Sequence, residues 1–212
     1  MPFSKLCKEY GIAITGGIAS GKSSAAKILS SLGYYCVDAD KLSREAVEPG
    51  SEGLKELVKV FGPSILSRAG ALDRKKLREI VFKDPAKRKT LESILHPKIR
   101  KLLEKKLEHE GLVQAPRVWF YEAALIFEAG LAKDFREVWL LVSDPEIQYA
   151  RLVKRDALTQ HEAKGIISAQ MTDEEKEKLA DLVIENHGNL EELSEKLRQA
   201  LDALKDRRGI DL

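Results

Sequence analysis

The sequence predicts an open parallel α/β sheet, and three observations carry that expectation. Short apolar segments rich in β-branched and aromatic residues recur between helical stretches. A glycine-rich loop, ITGGIASGKSS over residues 14–24, follows the first of them directly. The block 41–115 has helical periodicity and little that resembles a strand, so it reads as an insertion after the second strand.

In chain order, YGIAIT (10–15) is the first buried strand. A helix then runs from about Gly21 to Ser31 and ends near Gly33, and YYCV (34–37) is the second strand, closed by DAD. Together they form a first βαβ unit. The insertion holds EPGSEGLKELVKVFG, LDRKKLREIVF, DPAKRKTLESIL and HPKIRKLLEKKLEHEG as successive helical segments. Asp84 suits an N-cap and Pro85 the first helical position. Strands resume at RVWFYE (117–122) and VWLLVS (138–143), and DPEIQYARLVKRD opens another helix. Thr159–Glu162 and Thr172–Glu175 fit the capping-box pattern. DLVIEN (181–186) is a weaker fifth strand. Leu190, Leu193, Leu197, Leu201 and Leu204 then mark one face of a terminal helix packed on the sheet.

Ligands of such sheets sit at the carboxyl ends of the strands. That rule gathers the glycine loop, Asp38 and Asp40, Glu122 and Asp144 at one edge. Gly16, Gly21, Lys22 and Ser23 satisfy G-x-x-x-x-G-K-[ST]. Glycines accept positive φ and carry no Cβ, so successive amides can curl around an anion while the next helix points its positive end there. Gly17, Ile18, Ala19, Ser20, Gly21, Lys22, Ser23 and Ser24 are the expected phosphate contacts. Lys22 supplies a point charge to the β- and γ-phosphates and Ser23 a hydroxyl to Mg²⁺. A plain glycine turn before a surface helix is the alternative; a chance match in a chain this long is on the order of one in a hundred.

The loop leaves switch, motor and kinase open. The guanine signature N-K-x-D is absent, and DRRG occurs only at Asp206–Gly209, where it reads as a helix end. A small chain with a helical insertion fits a small-substrate kinase better. Net charge is +2 over 212 residues, so global charge gives no sign of a nucleic-acid partner. Cys7 and Cys36 are the only cysteines, which fits a reducing cytoplasm. The segment MPFSKLCKEYG lacks the apolar region of a signal peptide, and no run reaches the length of a membrane span.

TGGIASGKSS, DADKLSREAVEPG, LHPKIR, ALIFE, RLVKRDALTQHEA, SAQM and ADLVIENHG occur in that order. Together they make the chain, from about residue 11 to 205, resemble the dephospho-coenzyme A kinase family. The resemblance implies a three-layer P-loop kinase fold with a five-stranded parallel sheet, a helical substrate-binding insertion and a helical lid. It implies ATP-dependent phosphorylation of the ribose 3′-hydroxyl of dephospho-coenzyme A, with Mg²⁺ accompanying the ATP. The expected division is a nucleotide-binding core (1–40, 116–144, 180–212), an acceptor lobe (41–115) and a lid (145–179). No nucleic-acid or membrane partner is implied, and a monomer is favoured.

Asp38 matches the first Asp of the family's D-A-D and is implied to be the general base. A carboxylate near pKa ~4 is weak for that task, so in a loose transition state it mainly orients the hydroxyl. From the residues alone, a helix cap explains Asp38 equally well. Asp40 is the better candidate for the cap, or for a water on Mg²⁺. Arg44 and His96 are implied near the acceptor, with Pro97 completing the family's HP. Arg100, Lys101, Lys105 and Lys106 add positive charge for a pyrophosphate, or form a solvated face with Glu104 and Glu108. Arg151 and Arg155, one turn apart, are implied to close over the γ-phosphate. Asn186 and Gly188 of ENHG match a turn implied to lie beside the adenine. Three positions depart from the family pattern: Ala124 for Pro, Glu122 for Asp, and Gly165, next to Lys164, where an Arg is frequent. Another small P-loop kinase acting on a nucleoside monophosphate or small alcohol is the rival reading, and a nucleotide-dependent binding switch is the rival outside enzymes.

Overall fold

The computed structural model describes residues 1–82, 84–156, 165, 167 and 170–208. The chain divides into two compact units, Met1–Val37 with Gly111–Leu212, and Asp38–Glu110.

The sheet contains β1 (Gly11–Gly16), β2 (Tyr35–Asp38), β3 (Trp119–Glu122), β4 (Glu137–Val142) and β5 (Leu182–Glu185). All five strands are parallel, in the order β2-β3-β1-β4-β5. β1 and β2 are therefore not neighbours: the first βαβ connection skips one place, and β3 enters it. Register pairs Ile14 with Glu122 on one side and with Trp139 on the other. Every residue of β1 and β4 is buried, as expected of strands covered on both faces.

Helices α1 (Phe3–Tyr10), α2 (Lys22–Ser31), α7 (Pro145–Asp156), α8 (Asp173–Glu177) and α9 (Leu190–Arg208) belong to this unit. The core joins Ile12, Ile14, Phe120, Trp139, Leu141 and Ile184 to Ala25 and Leu29 of α2 and to Leu193, Leu197, Leu201 and Leu204 of α9. Leu190, the first leucine of the expected stripe, is 60% exposed. It opens the helix, one turn before the packed face begins. Residues 3–10 form α1, which buries Leu6 and Cys7; the sequence showed no element over 3–9 and began the first strand one residue early, at Tyr10. The N-terminal ammonium donates to Val113 O at 2.9 Å. No described helix is long and apolar enough to cross a membrane.

The second unit holds α3 (Ala39–Glu45), α4 (Glu52–Phe61), α5 (Arg74–Phe82) and α6 (Pro85–His109). Val47, Leu57, Ile65 and Leu77 form its core, with Ile80, Leu91, Ile94 and Leu95 packed against them. Asp84 caps α6 by accepting from the amides of Ala86 (3.0 Å) and Lys87 (3.1 Å). The sequence treated the segments before and after His96–Pro97 separately, yet α6 runs unbroken through Pro97. Proline removes one helical hydrogen bond there. Packing on both sides offsets that loss, through Ile94 and Leu95 before it and buried Leu103 and Leu107 after it.

The two ends of the leucine stripe should respond differently to truncation. Leu197→Ala is expected to cost about 2–5 kcal/mol, and Leu190→Ala to stay within about 0.5 kcal/mol. Urea denaturation of both variants checks this.

Candidate active site

β1 delivers the chain into the loop 16–21, and three backbone conformations shape it. Gly16 (φ 152°) and Gly21 (φ 101°) lie in glycine territory, while Ala19 sits at φ 60°. A left-handed alanine costs about 1–2 kcal/mol, so surrounding contacts have to hold it. A Cβ on Gly16 would lie 2.3 Å from Leu141 O, and one on Gly21 2.1 Å from Asn186 Nδ2. Neither position has space for a side chain.

Gly21 is also the N-cap of α2, and no side chain caps that helix. Its first amides therefore lack the side-chain partner most helices recruit, at the end where the helix dipole is positive. Lys22 curls its Nζ onto the carbonyls of Gly16 (3.0 Å) and Gly17 (2.8 Å). Ser23 Oγ donates to Glu122 Oε1 at 2.6 Å, which joins the start of α2 to the end of β3.

The outside of the loop is braced. Ser20 N–H donates to Gly17 O at 3.2 Å. The Ser20 carbonyl accepts from Ser143 Oγ (3.3 Å) and Asn186 Nδ2 (2.8 Å), placed by the ends of β4 and β5. Arg151, on α7, donates to Ser143 Oγ at 3.1 Å and to Gly188 O at 3.4 Å. Ile18 N–H donates to Gln170 Oε1 at 2.8 Å. Buried Gln148 donates through Nε2 to Ser143 O (2.9 Å) and Asp173 Oδ2 (3.0 Å).

Lys22, Ser23, Glu122, Arg151, Asn186 and Gly188 are thus brought around one loop. Asp144, next to Ser143, donates its amide N–H to His187 Nδ1 at 3.2 Å. Cys36, on β2, is pushed up in pKa chiefly by burial, with the Glu122 charge adding and a Ser30 hydrogen bond opposing, which keeps it a thiol. Ser143 and Gln148 carry no motif in the sequence, and Gln170 stands in SAQM, which assigns it no role.

In the helical unit, Asp38 is the N-cap of α3 and accepts from Lys41 N at 3.0 Å. This corrects the expectation that Asp40 caps the helix. α3 begins at residue 39, so the amide available to a cap belongs to Lys41, and Asp40 lies exposed in the first turn. Arg44 is exposed on the same helix, and His96 is exposed on α6. Arg74, which the sequence did not single out, has its pKa lowered by burial first and by the Arg44 charge second, with Asp40 opposing. Two guanidinium groups therefore share one region of this unit. Lys106 pairs with Glu45 at 2.8 Å and is partly neutralised. Thr172 forms the expected capping box with Glu175. The box expected at Thr159–Glu162, Lys164 and the Arg155 side chain lie outside the described residues; Gly165 is helical.

A five-stranded parallel sheet with this loop after its first strand defines a P-loop kinase. The fold is shared with shikimate kinase from Acinetobacter baumannii at TM-score 0.51 and 14% identity, over 97% of this chain and 98% of that one. The family model for dephospho-CoA kinase matches residues 10–192. A dephospho-CoA kinase from Geobacter sulfurreducens is 45% identical over 188 residues, 89% of this chain and 95% of the relative. A crystal structure from Thermus thermophilus superposes with TM-score 0.80 at 37% identity, covering 92% of this chain and 97% of that one. The chain belongs to the dephospho-CoA kinase family.

The crowding at Gly21 gives a direct test of the loop. Gly21→Ala is expected to abolish nucleotide binding measured by calorimetry. Gly33→Ala, where φ is 94° but nothing lies within 4 Å, should cost only about 1–2 kcal/mol in a thermal melt and leave binding intact.

Proposed function

We propose that this kinase transfers the γ-phosphoryl group of ATP to the ribose 3′-hydroxyl of dephospho-coenzyme A. The observation that carries the reading is the loop-to-helix junction. A helix N-terminus without a side-chain cap, a left-handed backbone and the Lys22 ammonium come together at one loop. Family membership supplies the acceptor.

The expected contacts over residues 17–24 narrow here: the amides of Ile18, Ser20 and Ser24 already have partners, and the other loop amides with Lys22 hold the donor phosphates. Ser23 and Glu122 present two hard oxygen atoms 2.6 Å apart, a donor set suited to Mg²⁺. No cluster of three or more His, Cys, Asp or Glu capable of holding a metal occurs among the described residues. That fits an ion held by one or two protein groups plus substrate phosphates. When bound, Mg²⁺ neutralises charge on the β- and γ-phosphates.

Asp38 orients the acceptor hydroxyl. Its Oδ1 serves the helix cap, and its Oδ2 lies 3.8 Å from the exposed Lys41 ammonium. The acceptor oxygen bonds to the γ-phosphorus as the bridge to the β-phosphate breaks; ADP departs, and the hydroxyl proton passes late to Asp38. Arg44 and His96 bind the acceptor. Arg151 and Arg155 stabilise charge on the transferring group. Asn186 works through its brace on Ser20, and Gly188 borders the adenine. A cytoplasmic monomer completes the reading.

A coupled assay with dephospho-coenzyme A, ATP and magnesium tests it. Turnover should require all three, stop with EDTA and return with excess Mg²⁺. Lys22→Ala and Asp38→Asn should each lower kcat by at least about 10²-fold while the melting temperature holds. Phosphorylation of AMP or shikimate, with none of dephospho-coenzyme A, would overturn the assignment.

A further inference from the structure

Three hydrogen bonds from outside the loop fix its backbone between residues 18 and 20. Two converge on the Ser20 carbonyl and come from strand ends, Ser143 after β4 and Asn186 after β5. The third is different in origin: Gln170 Oε1 accepts the Ile18 amide at 2.8 Å, 152 residues away in sequence. Ile18 directly precedes Ala19, the one described non-glycine residue with positive φ. The Ile18 amide belongs to the Gly17–Ile18 peptide, so its acceptor fixes the plane of the peptide one residue before the strained position.

Gln170 is itself held close to the loop. Two residues on, Thr172 caps α8 through a complete capping box. Asp173 accepts from Gln148 Nε2 at 3.0 Å, and Gln148 is almost fully buried. A Cβ built on Gly17 would lie 3.1 Å from Gln148 Oε1 and 3.4 Å from Asp173 Oδ1, so these side chains pack directly on the Gly17 backbone. Residues 170–173 thus form an outer wall of the phosphate loop, and Gln170 is the point where that wall bonds to its backbone.

We propose that Gln170 is a positioning residue for nucleotide binding. Its side-chain carbonyl fixes the Gly17–Ile18 peptide, which restrains the approach to the left-handed Ala19 and so the path of the loop toward the start of α2. The proposal rests on the reading of the loop as the ATP site. It makes nucleotide affinity depend on a side chain that touches no phosphate.

Gln170→Met keeps the length of the side chain and removes the acceptor. It is expected to raise the Kd for Mg-ATP about tenfold, leave the KM for dephospho-coenzyme A and the melting temperature unchanged, and speed hydrogen exchange at the Ile18 amide. Gln170→Glu, which keeps an acceptor oxygen, should retain slow exchange at Ile18 in the nucleotide-free protein. Adding Ala19→Gly to Gln170→Met should restore ATP affinity, because glycine adopts the left-handed conformation without being held there. A contribution to folding alone would not be rescued in this way. Wild-type ATP affinity in Gln170→Met, or no rescue by Ala19→Gly, overturns the proposal and leaves the functional reading standing. Wild-type affinity in Lys22→Ala overturns that reading and the proposal with it.

Discussion

An anion site made of main-chain amides must present donors that nothing else has claimed, and that requirement governs this structure. Helices normally satisfy their first amides with a side-chain cap. Asp38, Ser51, Asp84 and Thr172 do this for four helices here. Only at Gly21 does a fully described helix of the sheet unit begin in a left-handed conformation with no cap. The cost is a strained loop, offset by bonds to its outer side. One carbonyl, that of Ser20, is tied to Ser143 and Asn186, and one amide to Gln170.

The sheet makes this bracing possible. β1 lies centrally, with β3 and β4 beside it, so the ends of neighbouring strands arrive around the loop. Glu122 closes β3 and reaches Ser23. Ser143 follows β4 and Asn186 follows β5, and both reach Ser20. Buried Trp139 and Phe120 pack at 5.4 Å between ring centroids below, fixing the strands that carry these side chains. Core packing and site geometry are thus consequences of the same strand register.

Features specified by neighbouring residues were legible in the sequence. The phosphate loop, the Asp84 cap with Pro85, the Thr172 capping box and the five strands depend on local pattern, and each stands within a residue or two of its expected place. What escaped depends on contacts distant along the chain. α1 carries too weak a signal in eight residues to be read without its packing on β1. The continuity of α6 through Pro97 is decided by the hydrophobic neighbours on either side, which overrule a local helix-breaker. The cap falls to Asp38 and not to Asp40 because the helix starts two residues earlier than a cap at Asp40 requires. Gln148 has no local signature, and Gln170, although it stands in SAQM, shows its role only once the fold places it against Ile18.

The resting position of Lys22 has a consequence for selectivity. The Lys22 ammonium lies against two carbonyl dipoles of its own loop, which offset part of its charge. An entering solute must outcompete dipoles rather than bulk water, and a polyanion can do so where a neutral or weakly charged metabolite cannot. The lysine is thereby a threshold as well as an attractor, admitting ligands by the density of their charge.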